Sequence, residues 1–122
     1  MALKKILVVE EDSSVVELTQ KQLELAGVTS SATTSGPKAL EKAQKEAPDL
    51  ILLNILLPGM NGLEVARSLK ANLLTCFIPI LAVTGKTMPG DREKCLESGC
   101  DGYLAKPFIF QQLKREIEKL LR

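Results

Sequence analysis

The sequence of 122 residues has no histidine and no tryptophan, and only one tyrosine and three phenylalanines. Without an imidazole, the chain by itself can run no mechanism that needs a histidine base, a phosphohistidine or an imidazole metal ligand, which removes most hydrolases. So few aromatic rings leave no platform for base stacking. The charge is equally neutral, since 16 basic against 15 acidic residues give a formal net charge of +1. Neither the positive field nor the stacking surface of a nucleic-acid binder is present, and no nucleic-acid partner is expected.

Long hydrophobic runs are also missing. No stretch approaches the ~18 uninterrupted apolar residues of a membrane span. The apolar run after Lys4-Lys5 covers only Ile6 to Val9, short of the ~7–15-residue core of a secretory signal. Cysteine is scarce and odd in number: Cys76, Cys95 and Cys100 form no C-x-x-C pair and have no histidine to complete a zinc set. They read as buried thiols in a reducing compartment. A cytoplasmic protein with no membrane partner is expected.

What is present is an ordinary globular mix, 45% hydrophobic and 25% charged. At roughly 100–200 residues per domain the chain is read as one domain over residues 1–122, with no linker and no output domain. Ile6-Leu7-Val8-Val9 is a β-branched run of the kind buried on both faces of a sheet. Asp12 or Ser13 can cap a helix to about Ala26, with Gly27 just past its end. Residues 28 to 33 form a weaker strand, followed by a helix from Ser35-Gly36-Pro37 to about Glu46, which Pro48 stops. Leu50 to Leu53 is the third strand. Pro58-Gly59-Met60-Asn61-Gly62 is turn chemistry before a helix from about Leu63 to Ala71.

Ile78 to Val83 is the fourth strand, with Pro79 near its start, and Gly90 to Glu97 a short helix ended by Gly99. Tyr103 to Ala105 is the fifth strand. The last helix, Ile109 to Leu121, puts Phe110, Leu113, Ile117, Leu120 and Leu121 on one face. Five strands alternating with five helices require right-handed parallel crossovers. The expected fold is therefore α/β, a flavodoxin-like, doubly wound, five-stranded parallel sheet of order 2-1-3-4-5. In that order the strand ends Glu10-Glu11-Asp12, Asn54, Thr84 and Lys106-Pro107 share the carboxyl edge, where a crevice opens beside the first and third strands.

This set of residues resembles the response-regulator receiver domain of two-component signalling. The likeness covers essentially the whole chain. It is carried by the acids after the first strand, the segment from Pro48 to Gly62, Thr84, and Lys106-Pro107-Phe108. In that family an aspartate ending the third strand accepts phosphate from a kinase histidine, and Mg²⁺ is held by that aspartate, a strand-one aspartate and a backbone carbonyl. The resemblance implies Asn54 at the phosphoacceptor position, Glu11 as metal carboxylate supported by Glu10, and Leu56 as the carbonyl donor. It further implies Thr84 and Lys106 on phosphate oxygens, and Tyr103 at the aromatic switch position.

Two positions depart from the pattern. An amide at residue 54 delocalises its nitrogen lone pair and is a poor oxygen nucleophile, so no acyl phosphate is expected there. Glu11 in place of aspartate lengthens the ligand by one methylene, and Mg²⁺ demands near-ideal octahedral geometry, so metal binding is expected to be weak. The resemblance implies a phosphorylation-deficient pseudo-receiver, not an enzyme, that docks a sensor histidine kinase or another signalling protein. An ordinary receiver whose Asp was exchanged for Asn is the alternative, and a scaffold with a vestigial site a third.

A flavin-binding protein would need a glycine- and hydroxyl-rich loop where Glu10-Glu11-Asp12 stands, and an aspartate-dependent phosphohydrolase would need D-x-D there. Receivers commonly dimerise through the fourth helix, fifth strand and fifth helix. Here Lys86, Arg92, Lys94, Glu97, Lys114, Arg115 and Glu118 give that face mixed charge, suited to a reversible homodimer.

Overall fold

A computed structural model of the chain describes residues 4–57, 60–85 and 89–121. Its elements, in chain order, are β1 (Lys5–Val9), α1 (Ser13–Leu25), β2 (Thr29–Thr33), α2 (Gly36–Glu46), β3 (Leu50–Asn54), β4 (Leu56–Leu57), β5 (Met60–Asn61), α3 (Gly62–Ala71), β6 (Ile80–Thr84), α4 (Asp91–Glu97), β7 (Gly102–Ala105) and α5 (Phe110–Leu120). Five strands form a parallel sheet of order β2-β1-β3-β6-β7, which is the expected 2-1-3-4-5 order. The central strands β3 and β6 are buried along their whole length, as their unbroken apolar runs require.

Because side chains alternate across a strand, each strand feeds two cores. Leu7, Val9, Ile51, Leu53, Ile80 and Ala82 pack against α2, α3 and α4. Ile6, Val8, Leu50, Leu52, Leu81 and Val83 pack against α1 and α5. The helix termini follow local chemistry. Asp12 accepts from the Ser14 N–H at 2.9 Å to cap α1, and Ser35 accepts from the Lys38 N–H at 3.3 Å to cap α2. The Gln112 side chain accepts from the Ile109 N–H at 2.9 Å at the start of α5.

Three sequence expectations need correction. The fourth strand begins at Ile80, because Pro79 has no N–H to give the ladder and Ile78 closes a turn onto the Thr75 carbonyl at 3.0 Å. The segment after β3, expected as a turn, is a small antiparallel hairpin pairing Leu56 with Asn61 and Leu57 with Met60. Its Pro58-Gly59 tip lies outside the described residues, as does Lys86. Finally, α3 starts at Gly62, one residue before the expected Leu63, with Asn61 as its cap on the Leu63 N–H at 2.8 Å.

Candidate functional site

Strand register dictates which polar residues meet. Val8 lies opposite Leu52. Two residues further along each strand, on the same face, stand Glu10 and Asn54. Both are buried, at 5% and 8% exposure. The Asn54 amide nitrogen donates to Glu10 Oε2 at 2.9 Å and to the Leu56 carbonyl at 3.0 Å. The other carboxylate oxygen, Oε1, receives the Lys106 ammonium at 3.1 Å. The Asp12 N–H adds a bond to Oε2 at 3.2 Å, so the α1 cap and the carboxylate share one turn.

Lys106 is delivered by β7, whose exit is fixed by the Lys106 N–H donating to the Thr84 carbonyl at 2.8 Å. The Lys106-Pro107 peptide bond is cis. Thr84 is buried at the end of β6. Below Glu10, Asn54 and Lys106 lies a cavity of about 20 Å³, lined by Val8, Val15, Thr19, Leu52, Val83 and Phe108 among others. It has room for about one water molecule.

Glu11 does not share the burial of Glu10. The resemblance implies Glu11 as the metal carboxylate with Glu10 behind it; in the structure Glu11 is exposed and Glu10 is the inward carboxylate. Glu10 directly follows β1 and joins Val8, Asn54 and Lys106 in lining the small cavity, whereas Glu11 stands one residue further into the loop, in a bend. Tyr103 is half-buried against the core on the α4 side. Burial, with Cys95, Asp91 and Glu93 of α4 adding to it, pushes its phenol above the ordinary range. Cys100 is pushed up to about 12, chiefly by burial, which makes its thiol an inert packing group.

Sequence reasoning missed Gly62. A Cβ there would stand 2.5 Å from the Ile55 Cα and 2.8 Å from the Asn54 carbonyl oxygen. The Gly62 N–H also donates to the Ile55 carbonyl at 2.9 Å. The start of α3 is thus seated on the backbone that presents Asn54, an approach only glycine allows. No local pattern separates this glycine from a simple turn residue.

The donor set bears directly on a metal. Glu10, Asn54 and Leu56 could supply oxygens to a cation, but as arranged the carboxylate and the carbonyl each bind an amide N–H of Asn54. Among the described residues no group of three or more His, Cys, Asp or Glu side chains is placed to hold a metal ion. The residues as they stand do not fit Mg²⁺.

A five-stranded parallel sheet in this order, with a polar crevice at its carboxyl edge, defines the doubly wound, CheY-like class of folds. The response regulator receiver domain profile matches residues 6–118, and the chain belongs to that family, whose members are signalling domains of two-component systems. It is 40% identical over 119 residues to the alkaline phosphatase synthesis transcriptional regulatory protein PhoP of Bacillus subtilis, covering 98% of this chain but 49% of that protein. It is 36% identical over 118 residues to the polar-differentiation response regulator DivK of Brucella ovis, covering 97% of this chain and 96% of that one. The chain therefore spans about half the length of PhoP and nearly all of DivK.

Among solved structures it resembles the chemotaxis protein CheY4 of Vibrio cholerae, with a TM-score of 0.92 and 30% identity over 98% of this chain and 100% of that one. It also resembles the receiver domain of sensor histidine kinase PA1611 from Pseudomonas aeruginosa, with a TM-score of 0.90 and 31% identity over 98% of each chain. That structure holds a magnesium ion in its active-site cleft.

Proposed function

We propose that this chain is a receiver that signals by docking a partner protein, a sensor histidine kinase or another signalling protein, without itself becoming phosphorylated. The observation that carries this reading is the state of Asn54. It ends β3 at the floor of the crevice, where a phosphorylatable receiver has its acceptor carboxylate, and its amide nitrogen is bonded to Glu10 and to the Leu56 carbonyl. The amide oxygen is a weak nucleophile because the nitrogen lone pair is delocalised into the carbonyl. No acyl phosphate forms on it.

The remaining roles follow. Lys106 and Thr84, the positions that hold phosphate oxygens in a competent receiver, have no phosphoryl group to bind. Lys106 neutralises Glu10 instead. Tyr103, at the aromatic switch position, stays packed beside α4. Mg²⁺ finds no ready set of oxygens, since the Glu10 carboxylate and the Leu56 carbonyl are both bound by the Asn54 amide, and the crevice catalyses no turnover of phosphate esters. Docking has an apolar foothold: Phe108, Val15 and Thr19 line the small cavity, and Leu18 and Ile109, next to Thr19 and Phe108 in sequence, are exposed at 59% and 63%.

The test is intact mass after incubation with acetyl phosphate and Mg²⁺. The expected result is no change. A gain of about 80 Da, one phosphoryl group, mapped to any crevice residue would overturn the proposal. Asp12, exposed and two residues from Glu10, is the acid to inspect first.

A further inference from the structure

We infer that the Asn54 side-chain amide stands in for the divalent cation of a receiver crevice, so that the chain itself holds the crevice in one metal-free arrangement. The inference rests on the receiver reading of this site and adds how the site is regulated: it is indifferent to Mg²⁺.

The geometry has the connectivity of a bound ion. In the family pattern a cation joins a strand-one carboxylate, here at the position of Glu11, to the carbonyl two residues beyond the third-strand side chain, and the amide takes the neighbouring Glu10 in its place. Here one amide nitrogen joins Glu10 Oε2 at 2.9 Å to the Leu56 carbonyl at 3.0 Å. An amide NH₂ has two protons, and each is used once. The orientation is fixed by chemistry, because both neighbours are acceptors and the amide oxygen in that place would face two oxygens with no proton between them.

Charge is balanced in the same way. The Glu10 carboxylate is already matched by the Lys106 ammonium on its second oxygen, at 3.1 Å. For Mg²⁺ to be accepted, both amide bonds must break, the amide must turn, and the ion must compete with the ammonium for one carboxylate. A small ion that sheds its water reluctantly gains too little from such a set. Through Glu10 the amide also ties β1, β3 and the segment after β7 together, so no exchange of ligands is needed to complete the crevice.

The experiment is NMR on the full, ¹⁵N-labelled chain, titrated with MgCl₂ into large excess, beside Asn54→Asp. In the parent, the Asn54 side-chain NH₂ should give two resolved resonances, protected from solvent exchange and unmoved by Mg²⁺. In Asn54→Asp, the backbone amides near residues 10, 54 and 56 should shift saturably. Saturable shifts of the Asn54 NH₂ and its neighbours in the parent would overturn the inference. So would an Asn54→Asp protein as indifferent as the parent, since exclusion would then lie elsewhere, as at Glu11. Should Asn54→Asp fail to fold, the parent still decides: an Asn54 NH₂ that exchanges as fast as an exposed amide overturns the inference. Mg²⁺ binding without a mass gain on acetyl phosphate breaks this inference alone, whereas a mass gain breaks the non-phosphorylated reading beneath it.

Discussion

At the carboxyl edge of the sheet Lys106 meets Glu10 at 3.1 Å, and at the amino edge Lys70 meets Asp101 at 3.0 Å. The two pairs are alike in chemistry and in length, and they differ in what surrounds them. Lys70, in the last turn of α3, also donates to the Cys76 carbonyl at 3.2 Å and the Ile78 carbonyl at 2.9 Å. All three ammonium protons are thus spent on the chain's own loop. Asp101 in turn accepts from the Ile80 N–H at 2.8 Å. This closed clasp ties the loop before β6 to the loop before β7 and leaves nothing over for a ligand.

At the carboxyl edge the ammonium has one carboxylate partner among the described residues, and its side chain is about a third exposed to the crevice. The carboxylate, not the lysine, is the fully engaged member there, with an amide, an ammonium and a backbone N–H on it. An ion pair becomes a clasp or part of a site according to which donors it leaves unspent. Topology decides that, because the carboxyl edge of a doubly wound sheet opens at the strand-order reversal.

Substitutions at two glycines should break the two regions unequally. Gly62→Ala drives a Cβ to 2.5 Å from the Ile55 backbone, where no rotamer change gives relief. The start of α3 and the residue presenting Asn54 must part, at a cost of about 3 kcal/mol. At the clasp, Gly99→Ala meets the Lys70 Cγ at 2.6 Å, the stem of a flexible side chain, but also places alanine at φ +102°. That combination costs about 2 kcal/mol, chiefly as backbone strain. Denaturant midpoints of both variants check the order. A Gly99→Ala protein less stable than Gly62→Ala would reverse the comparison.

The lysines themselves sharpen it. Lys70→Met strands two carbonyls, and Lys106→Met strands one oxygen of a buried carboxylate, so each should cost about 2 kcal/mol. The losses should differ in place. By backbone hydrogen exchange, Lys70→Met should loosen the segment around Cys76 to Ile80, and Lys106→Met the exits of β1, β3 and β7. Overlapping exchange maps would mean that the two networks are one cooperative unit.

Much of this was legible in the residue pattern, and the misses have physical causes. The five strand segments, the caps Asp12 and Ser35, and Gly27 past the end of α1 are local features, and each specifies its element by local chemistry. The hairpin after β3 was hidden because Pro58-Gly59 marks a turn without saying whether its flanks pair. That Glu10 faces the crevice was present in the sequence as a period-two pattern: the side carrying Ile6 and Val8 carries Glu10. The resemblance implies Glu11 as the metal carboxylate with Glu10 behind it, and the strand repeat bears only on Glu10, since β1 ends at Val9. The seat of Gly62 on Ile55 and the Lys70 clasp depend on distances between segments, which no local pattern contains.

A crevice complete without a metal gains no stability from one. This is checked by denaturant melts at neutral pH of the parent and Asn54→Asp, each in EDTA and in excess Mg²⁺. In Asn54→Asp a second carboxylate replaces the N–H that faces Glu10, and like charges this close cost on the order of 1–3 kcal/mol at an effective dielectric of ~20. A bound ion returns part of that by linkage. The parent should show one midpoint in both solutions, while Asn54→Asp should unfold earlier in EDTA and recover with Mg²⁺. A parent stabilised by Mg²⁺ as strongly as Asn54→Asp would mean that the crevice needs an ion after all.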